Sequence, residues 1–162
     1  MQINTVQSRT QATYSAAAQG VIAMSSALDI SVTPPSGTSK VKLGWDIYGE
    51  DDSSTAHGFV VYKDVAGGGF NLLSASRDGS ANYYSVITRA SWDGDYSTTA
   101  NTTAVSIIDE SPDVGSVATY RLYLASIRAS GTGTFYLNRC ISSAGASLAP
   151  SGLSTGEGRC YA

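Results

Sequence analysis

The one histidine of the chain, His57, follows an acidic and serine-rich run and is the first residue to weigh for catalysis. Nucleophilic catalysis of the Ser-His-Asp type needs a serine, a histidine and an acid, and Asp51, Asp52, Ser53 and Ser54 lie close in sequence. No Gly-x-Ser-x-Gly turn, which would expose the nucleophile, accompanies them. We therefore interpret the acidic run as a polar loop and His57 as a solvent-exposed loop histidine.

Two further carboxylates, Asp93 and Asp95, sit between two aromatic residues in a second predicted loop. They are too close in sequence to flank a sugar ring on opposite faces, as a glycosidase requires. Either acidic run could contribute oxygens to Ca²⁺, but neither matches the twelve-residue calcium loop, and one histidine with two distant cysteines does not make a zinc site. We predict no catalytic residue, metal or cofactor, and we keep as candidate partner contacts Asp51, Asp52, His57, Trp92, Asp93, Asp95 and Tyr96.

The two cysteines, Cys140 and Cys160, are each preceded by an arginine. Synthesis in a cytosol favours free thiols, whereas a particle outside the cell could oxidise them. A bridge would close the C-terminal tail onto the last predicted strand, and in the chain-entropy model it would be worth about 3 kcal/mol. The sequence leaves the bridged and the reduced state both open.

The clearest strand signal lies in residues 39–49, SKVKLGWDIYG. Its apolar residues alternate with lysines, an aspartate and a tyrosine, so one face of the strand is apolar and the other is polar and exposed to solvent. Other strands must pack on the apolar face. The predicted core consists of Val41, Leu43, Trp45, Ile47, Phe59, Val61, Leu122 and Leu124.

Regular alternation between short strand-like runs and Gly/Pro turns continues along the chain. Runs follow the Pro34-Pro35 turn, the triple glycine at 67–69 and the Asp78-Gly79 pair, and the longest covers residues 117–128. About eight or nine strands at this spacing are typical of an all-β fold, an antiparallel sandwich of jelly-roll type or a barrel.

Composition narrows the choice of partner. The 162 residues include only 14% charged side chains but seventeen glycines and ten tyrosines, and the net charge is −3. Strands and turns account for such a composition better than surface helices do, and the charge argues against nucleic acid. No segment is long and apolar enough to insert in a membrane. The first charge is Arg9, so no signal peptide is expected and the chain should be made and assembled in a cytosol.

Three regions divide the chain: an N-terminal arm or strand at 1–28, a β-sandwich at 29–140 and a Gly/Ser-rich C-terminal tail at 141–162 that packs on the sandwich. The arm carries a single charge, and a helix could form from Tyr14 to Leu28 although Gly20 interrupts it. Such a segment cannot offset its own ordering entropy. We expect it to pair with the sheet of its own chain or with a neighbouring subunit.

Three segments together resemble a family of small β-domains found in the particles of tailed phages. They are ISVTPPSGTSKVKLGWDIYG, SIIDESPDVGSVATYRLYLAS and GTGTFYLNR, which span roughly residues 30–139 with the turn at residues 77–79 between them. The resemblance implies a jelly-roll-like subunit of a tail fibre or capsid appendage, commonly a homotrimer, located in the virion after assembly in the host cytoplasm. The glycine-rich tail with Cys160 departs from the family's pattern.

The sequence therefore favours a non-enzymatic virion protein over the enzyme classes. The first hypothesis is a capsid decoration, cement or head-fibre protein that contacts other virion proteins through residues 1–28. The second is a receptor-binding tip of a tail fibre, which would present Trp92, Tyr96 and the acidic loop to a host glycan or protein. A carbohydrate-binding module is a third and weaker hypothesis.

Overall fold

The structure is a computed structural model, and it describes residues 8, 10–52, 57–73, 88–90 and 100–139. One turn of 3₁₀ helix spans Ser26–Leu28. The strands are β1 (Ala12–Ala17), β2 (Val21–Ala23), β3 (Ile30–Val32), β4 (Val41–Asp51), β5 (His57–Val65), β6 (Asn71–Leu72), β7 (Thr88–Arg89), β8 (Asn101–Asp109), β9 (Ala118–Ser126) and β10 (Thr132–Leu137).

Two antiparallel sheets pack face to face, which confirms the predicted β-sandwich. The four-stranded sheet has the order β1-β10-β4-β8, and the six-stranded sheet has β2-β9-β5-β6 with β3 on β9 and β7 on β5. The pairings are nested along the chain: β1 with β10, β2 and β3 with β9, β4 with β8, and β5 with β6 and β7. A long hairpin rolled into two sheets in this way is a jelly roll.

The apolar face of β4 points into the space between the sheets. Its burial alternates strictly from Lys42 to Ile47, and Leu43, Trp45 and Ile47 are buried while Val41 packs half-buried against the core. The inward positions of the other long strands complete this core with Phe59, Val61, Val105, Ile107, Tyr120, Leu122, Leu124, Phe135 and Leu137.

One glycine of β4 is required by the close approach of β10. A Cβ at Gly49 would lie 2.6 Å from the ring of Phe135 and closer still to the carbonyl of Tyr136. Real Cβ atoms are not found at such distances, so only glycine lets these two strands meet at this register.

The N-terminal segment differs from the expectation of a helix. Residues 12–17 and 21–23 are strands that pair with β10 and β9 of the same chain. Tyr14 and Ala16 point inward, and the Tyr14 hydroxyl accepts a hydrogen bond from the backbone N–H of Ser25 at 2.9 Å. The helix expectation is wrong because these tertiary pairings outweigh the weak local preference of an alanine-rich run. Of the two pairings considered for the arm, the described part takes its own sheets.

Replacement of Trp45 by alanine should lower the free energy of unfolding by about 3–5 kcal/mol through lost burial and a cavity. The indole is 8% exposed, and its Nε1–H donates to the Leu28 carbonyl at 2.8 Å. Trp45→Phe keeps most of the volume and should cost about 1–3 kcal/mol for the lost hydrogen bond. Urea unfolding followed by circular dichroism measures both. Equal stability of the alanine variant and the parent would contradict the core assignment.

Candidate functional site

The acidic run and the histidine that the sequence singled out lie at one end of the sandwich interior. Asp51 is the last residue of β4 and His57 the first of β5, so the chain crosses between the two sheets in the five intervening residues. Both side chains are only about 1% exposed. The expectation of a solvated loop carrying an exposed histidine is therefore wrong at these two positions. Glu50 is also buried, as part of β4.

A single carboxylate joins the two sheets at this crossover. Asp51 Oδ2 accepts from the backbone N–H of His57 at 2.9 Å, and Oδ1 lies 3.0 Å from His57 Nδ1. When Asp51 is ionised, its carboxylate only accepts, so the contact with His57 requires a proton on Nδ1. Burial raises the pKa of the Asp51 carboxyl, and the hydrogen bonds and charge of His57 oppose that shift without cancelling it.

A serine stands beside this pair, yet it does not complete a catalytic arrangement. Ser126 of β9 is directly opposite His57 in the β5–β9 ladder and is itself buried. Within the described residues neither Ser126 Oγ nor His57 Nε2 has a hydrogen-bond partner, so no hydrogen bond joins these two atoms. A nucleophile in acyl transfer must contact both its base and its substrate, and these buried atoms meet neither condition. We refer to Asp51, His57 and Ser126 as the His57 cluster.

The opposite end of the interior holds a second polar cluster, centred on Lys63. Its Nζ donates to Asp109 Oδ2 at 2.8 Å and to the Ser111 carbonyl at 3.1 Å, and lies 2.6 Å from Asp113 Oδ2. The Tyr120 hydroxyl donates to Asp109 Oδ2 at 2.7 Å. Lys63 of β5 and Asp109 of β8 belong to different sheets, so this ion pair also joins the sheets. We refer to Lys63, Asp109, Asp113 and Tyr120 as the Lys63 cluster.

The electrostatics of the Lys63 cluster favour its charged forms. Burial alone would raise the pKa of Asp109, but hydrogen bonds from Lys63, Tyr120 and the Ser111 backbone outweigh burial and lower it. Burial alone would lower the pKa of Lys63, but the two carboxylates raise it. Burial and the bond to Asp109 together raise the pKa of Tyr120. An internal salt bridge with a neutral tyrosine donor is therefore the stable state at neutral pH.

Sequence reasoning did not single out the Lys63 cluster, although a signal was present. Lys63 has the same strand parity as Phe59 and Val61, and Asp109 the same parity as Val105 and Ile107. Residues of equal parity share one face of a strand, so both charged side chains were placed to point inward. Two inward side chains of opposite charge, on strands of facing sheets, predict a buried ion pair.

The outer face of the six-stranded sheet carries the aromatic strip, which we define as Tyr62, Phe70, Arg121 and Tyr123. The rings of Tyr62 and Tyr123 stack at 4.0 Å between centroids, and the Arg121 guanidinium lies 4.3 Å from the centroid of Phe70. Asp29 holds Arg121 through two hydrogen bonds of 2.9 and 2.7 Å. These side chains are half-buried, so the strip is a surface of aromatic edges around a fixed guanidinium.

Several predicted site residues lie outside the described residues, namely Trp92, Asp93, Asp95, Tyr96, Cys140 and Cys160. The remaining one, Asp52, is partly exposed at the His57 end, where its Oδ2 accepts from the Thr134 backbone N–H at 2.8 Å and its Oδ1 lies 3.7 Å from Arg128.

The described ranges contain no group of three or more His, Cys, Asp or Glu placed to hold a metal ion. None of the helical structure in those ranges has the length and apolarity of a membrane-spanning helix. No family model matches the chain, and comparisons with curated proteins and with solved structures give no significant match.

Asp109→Asn should lower the free energy of unfolding by on the order of 3 kcal/mol at pH 7, because it leaves Lys63 in the interior without its buried partner charge. The folded-state pKa of Asp109 lies below its unfolded value of about 3.9, so its stabilisation is present above that pH and is lost as pH falls through the folded value. The difference between parent and variant should therefore shrink below about pH 4. Urea unfolding at pH 7 and pH 3 measures this difference.

Asp46→Asn is the matched control, because it replaces an aspartate by an asparagine at an exposed position of β4. It should alter stability by less than about 0.5 kcal/mol at either pH. A pH-independent cost at Asp109 would mean that packing, and not charge, accounts for its effect.

His57→Phe should cost about 1–3 kcal/mol, because the phenyl ring fills the site but leaves a buried oxygen of Asp51 without its donor. The double variant Asp51→Leu/His57→Phe removes both polar groups and should recover part of that loss. The coupling free energy from this double-mutant cycle should fall between about 0.5 and 3 kcal/mol. Strictly additive effects would show that the two side chains do not act together.

Proposed function

We propose that the chain is a structural protein on the surface of a tailed-phage particle, acting as a capsid decoration, cement or head-fibre protein. The observation that carries the proposal is the closure of the sandwich at both ends. Among the described residues, Asp51 pairs with His57 and Asp109 pairs with Lys63 across the two sheets, and Ser126 is buried beside His57. A domain built in this way offers its partners a rigid surface, which is what a particle component requires.

The sequence resemblance supports the same role. The segments that resemble virion domains correspond to β3 and β4, to β8 and β9 with their connection, and to β10. The Asp-x-x-Pro turn of that resemblance begins at Asp109, whose Oδ1 accepts from the Ser111 backbone N–H at 3.0 Å while Oδ2 serves the Lys63 cluster. The quoted motif thus contains residues that close one end of the fold. This use of its polar side chains supports a structural role.

The alternative is a receptor-binding tip of a tail fibre, and the aromatic strip favours it. Aromatic rings beside an arginine are enriched at binding surfaces because they bury much area at little entropic cost. The ring planes also suit the apolar faces of a sugar, so a host glycan or a carbohydrate-binding role belongs to this alternative. One face of each ring is already occupied within the strip itself, since Tyr62 stacks on Tyr123 and Arg121 lies over Phe70. Decoration is therefore the proposal we prefer.

Purified particles of the encoding phage should contain the chain, and gold-labelled antibodies against it should decorate the head in electron micrographs. Particles assembled without the chain should then bind the purified protein. Removal of residues 1–7 should reduce that binding while leaving the sandwich folded, since every described contact begins at Ser8 or later. The thermal midpoint of the truncated protein provides the folding control.

Absence of the chain from purified particles would overturn the proposal. Label confined to the tips of tail fibres would favour the alternative, and Trp92→Ala/Tyr96→Ala should then reduce adsorption to host cells without reducing particle attachment. Full binding of the truncated protein would exclude residues 1–7 as the attachment segment.

A further inference from the structure

The Lys63 cluster places one amine against two carboxylates at the end of the sandwich interior. Lys63 Nζ lies 2.8 Å from Asp109 Oδ2 and 2.6 Å from Asp113 Oδ2. The side chain of Lys63 is 13% exposed and that of Asp109 only 4%. One carboxylate is sufficient to balance one ammonium. The second therefore gives the cluster an acid–base group in direct contact with the amine.

The carboxyl group of Asp109 has a hydrogen-bond donor on each of its oxygens. The Tyr120 hydroxyl donates to Oδ2 at 2.7 Å, and the backbone N–H of Ser111 donates to Oδ1 at 3.0 Å. Tyr120 is fully buried. Donors fixed in this way stabilise the negative charge that develops on oxygen when a nucleophile adds to a carboxyl carbon. Asp109 is therefore arranged as an acyl electrophile, with the amine of Lys63 as its nucleophile.

The fold holds the amine and the carboxyl group together. Lys63 lies on β5 and Asp109 ends β8, so the two residues belong to opposite sheets. Long antiparallel ladders fix both strands, β5 against β9 and β8 against β4. Reacting groups held in the right geometry behave as if present at effective concentrations of about 10⁵–10⁸ M. Such enforced contact can drive a condensation that free amines and carboxylates in water do not undergo.

We propose that Lys63 and Asp109 condense to an isopeptide bond that joins the two sheets covalently. Nζ bonds to Cγ of Asp109, the bond from Cγ to Oδ2 breaks, and one water leaves. Of the three ammonium protons, one stays on the amide nitrogen and two depart with Oδ2, so no other reactant is consumed. Asp113 accepts a proton from Nζ before the attack, and Tyr120 donates to the departing oxygen. Both relay protons and end the reaction in their starting states.

The ion pair is the resting state of the two groups, and it makes the reaction slow. Because the cluster favours the charged forms, the neutral amine and carboxylic acid are a minor population at neutral pH. The neutral pair holds as many protons as the ion pair, so it forms by proton transfer within the cluster. Once the amide exists, neither group titrates. The pH dependence expected from Asp109→Asn therefore applies to the unlinked chain.

Intact-mass spectrometry of the purified full chain tests the bond. After prolonged incubation of the folded protein at neutral pH, the measured mass should be lower than that of the sequence by one water. A succinimide at Asp78-Gly79 or Asp93-Gly94 would give the same loss, so a control is needed. Lys63→Arg keeps a positive charge beside Asp109 but lacks the nucleophilic amine, and it should retain the full mass. Circular dichroism verifies that each variant is folded.

Tryptic digestion locates the bond. Trypsin does not cleave after an acylated lysine, so residues 43–77 should remain one peptide, joined to the peptide of residues 90–121. Fragmentation should place the link between Lys63 and Asp109. A full mass of the parent chain, or the same loss of water in Lys63→Arg, would overturn the bond. A link mapped to Asp113 would overturn the assignment of Asp109. The purified chain is sufficient for this test, whether or not the protein occurs on particles.

Asp113→Ala tests the proton acceptor and leaves the pair of Lys63 and Asp109 in place. General acid–base catalysis contributes about 10²–10⁴-fold, so the loss of water should be slower by about that factor. Glu110→Ala is the matched control, because it removes an exposed carboxylate next to Asp109 in sequence, and it should react at the parental rate. Equal rates in the two variants would overturn the role of Asp113.

Discussion

An inward-pointing aspartate at the end of a strand of the four-stranded sheet closes each end of this sandwich. Asp51 ends β4 and Asp109 ends β8, and because β4 and β8 are antiparallel these residues lie at opposite ends. Each reaches the same strand of the other sheet, at His57 and Lys63. His57 and Lys63 are six residue steps apart on β5, about 20 Å at the rise of an extended chain. The apolar core occupies the space between them.

Such contacts fix the register of the fold more than they add stability. Desolvation of a buried ion pair consumes most of its Coulomb energy, so an apolar pair could stabilise the sandwich as well. A slip of β8 by one residue against β4 would turn Asp109 to the outer face and leave Lys63 in the interior without its main partner. The same holds for Asp51, whose two oxygens serve the backbone and the ring of one residue. Neighbouring registers that bury similar apolar area are thereby penalised.

Alternation in the sequence was sufficient to predict the sandwich and most of its core, because inward and outward residues of β4, β8 and β9 differ clearly in polarity. The alternation pattern did not predict the structure where a segment has the composition of a loop but lies in a strand or in the core. Residues 50–57 have the composition of a solvated loop, and only the parity of His57 with Phe59 indicates that its side chain enters the core. The strands at residues 12–23 depend on β9 and β10, more than a hundred residues away, and no local pattern reveals such pairings. The Lys63 cluster was predictable only by comparing parities on separate strands.

The division between interior and outer face bears on where a partner can act. Among the described residues, the buried polar side chains Asp51, His57 and Asp109 lie between the sheets and have almost no access to solvent. On the outer face of the four-stranded sheet, β8 presents Thr102, Ala104 and Ser106. The neighbouring strand β4 presents Lys42 and Asp46 on that face. Any partner of this face would therefore meet small neutral side chains beside charged ones, and not the buried clusters.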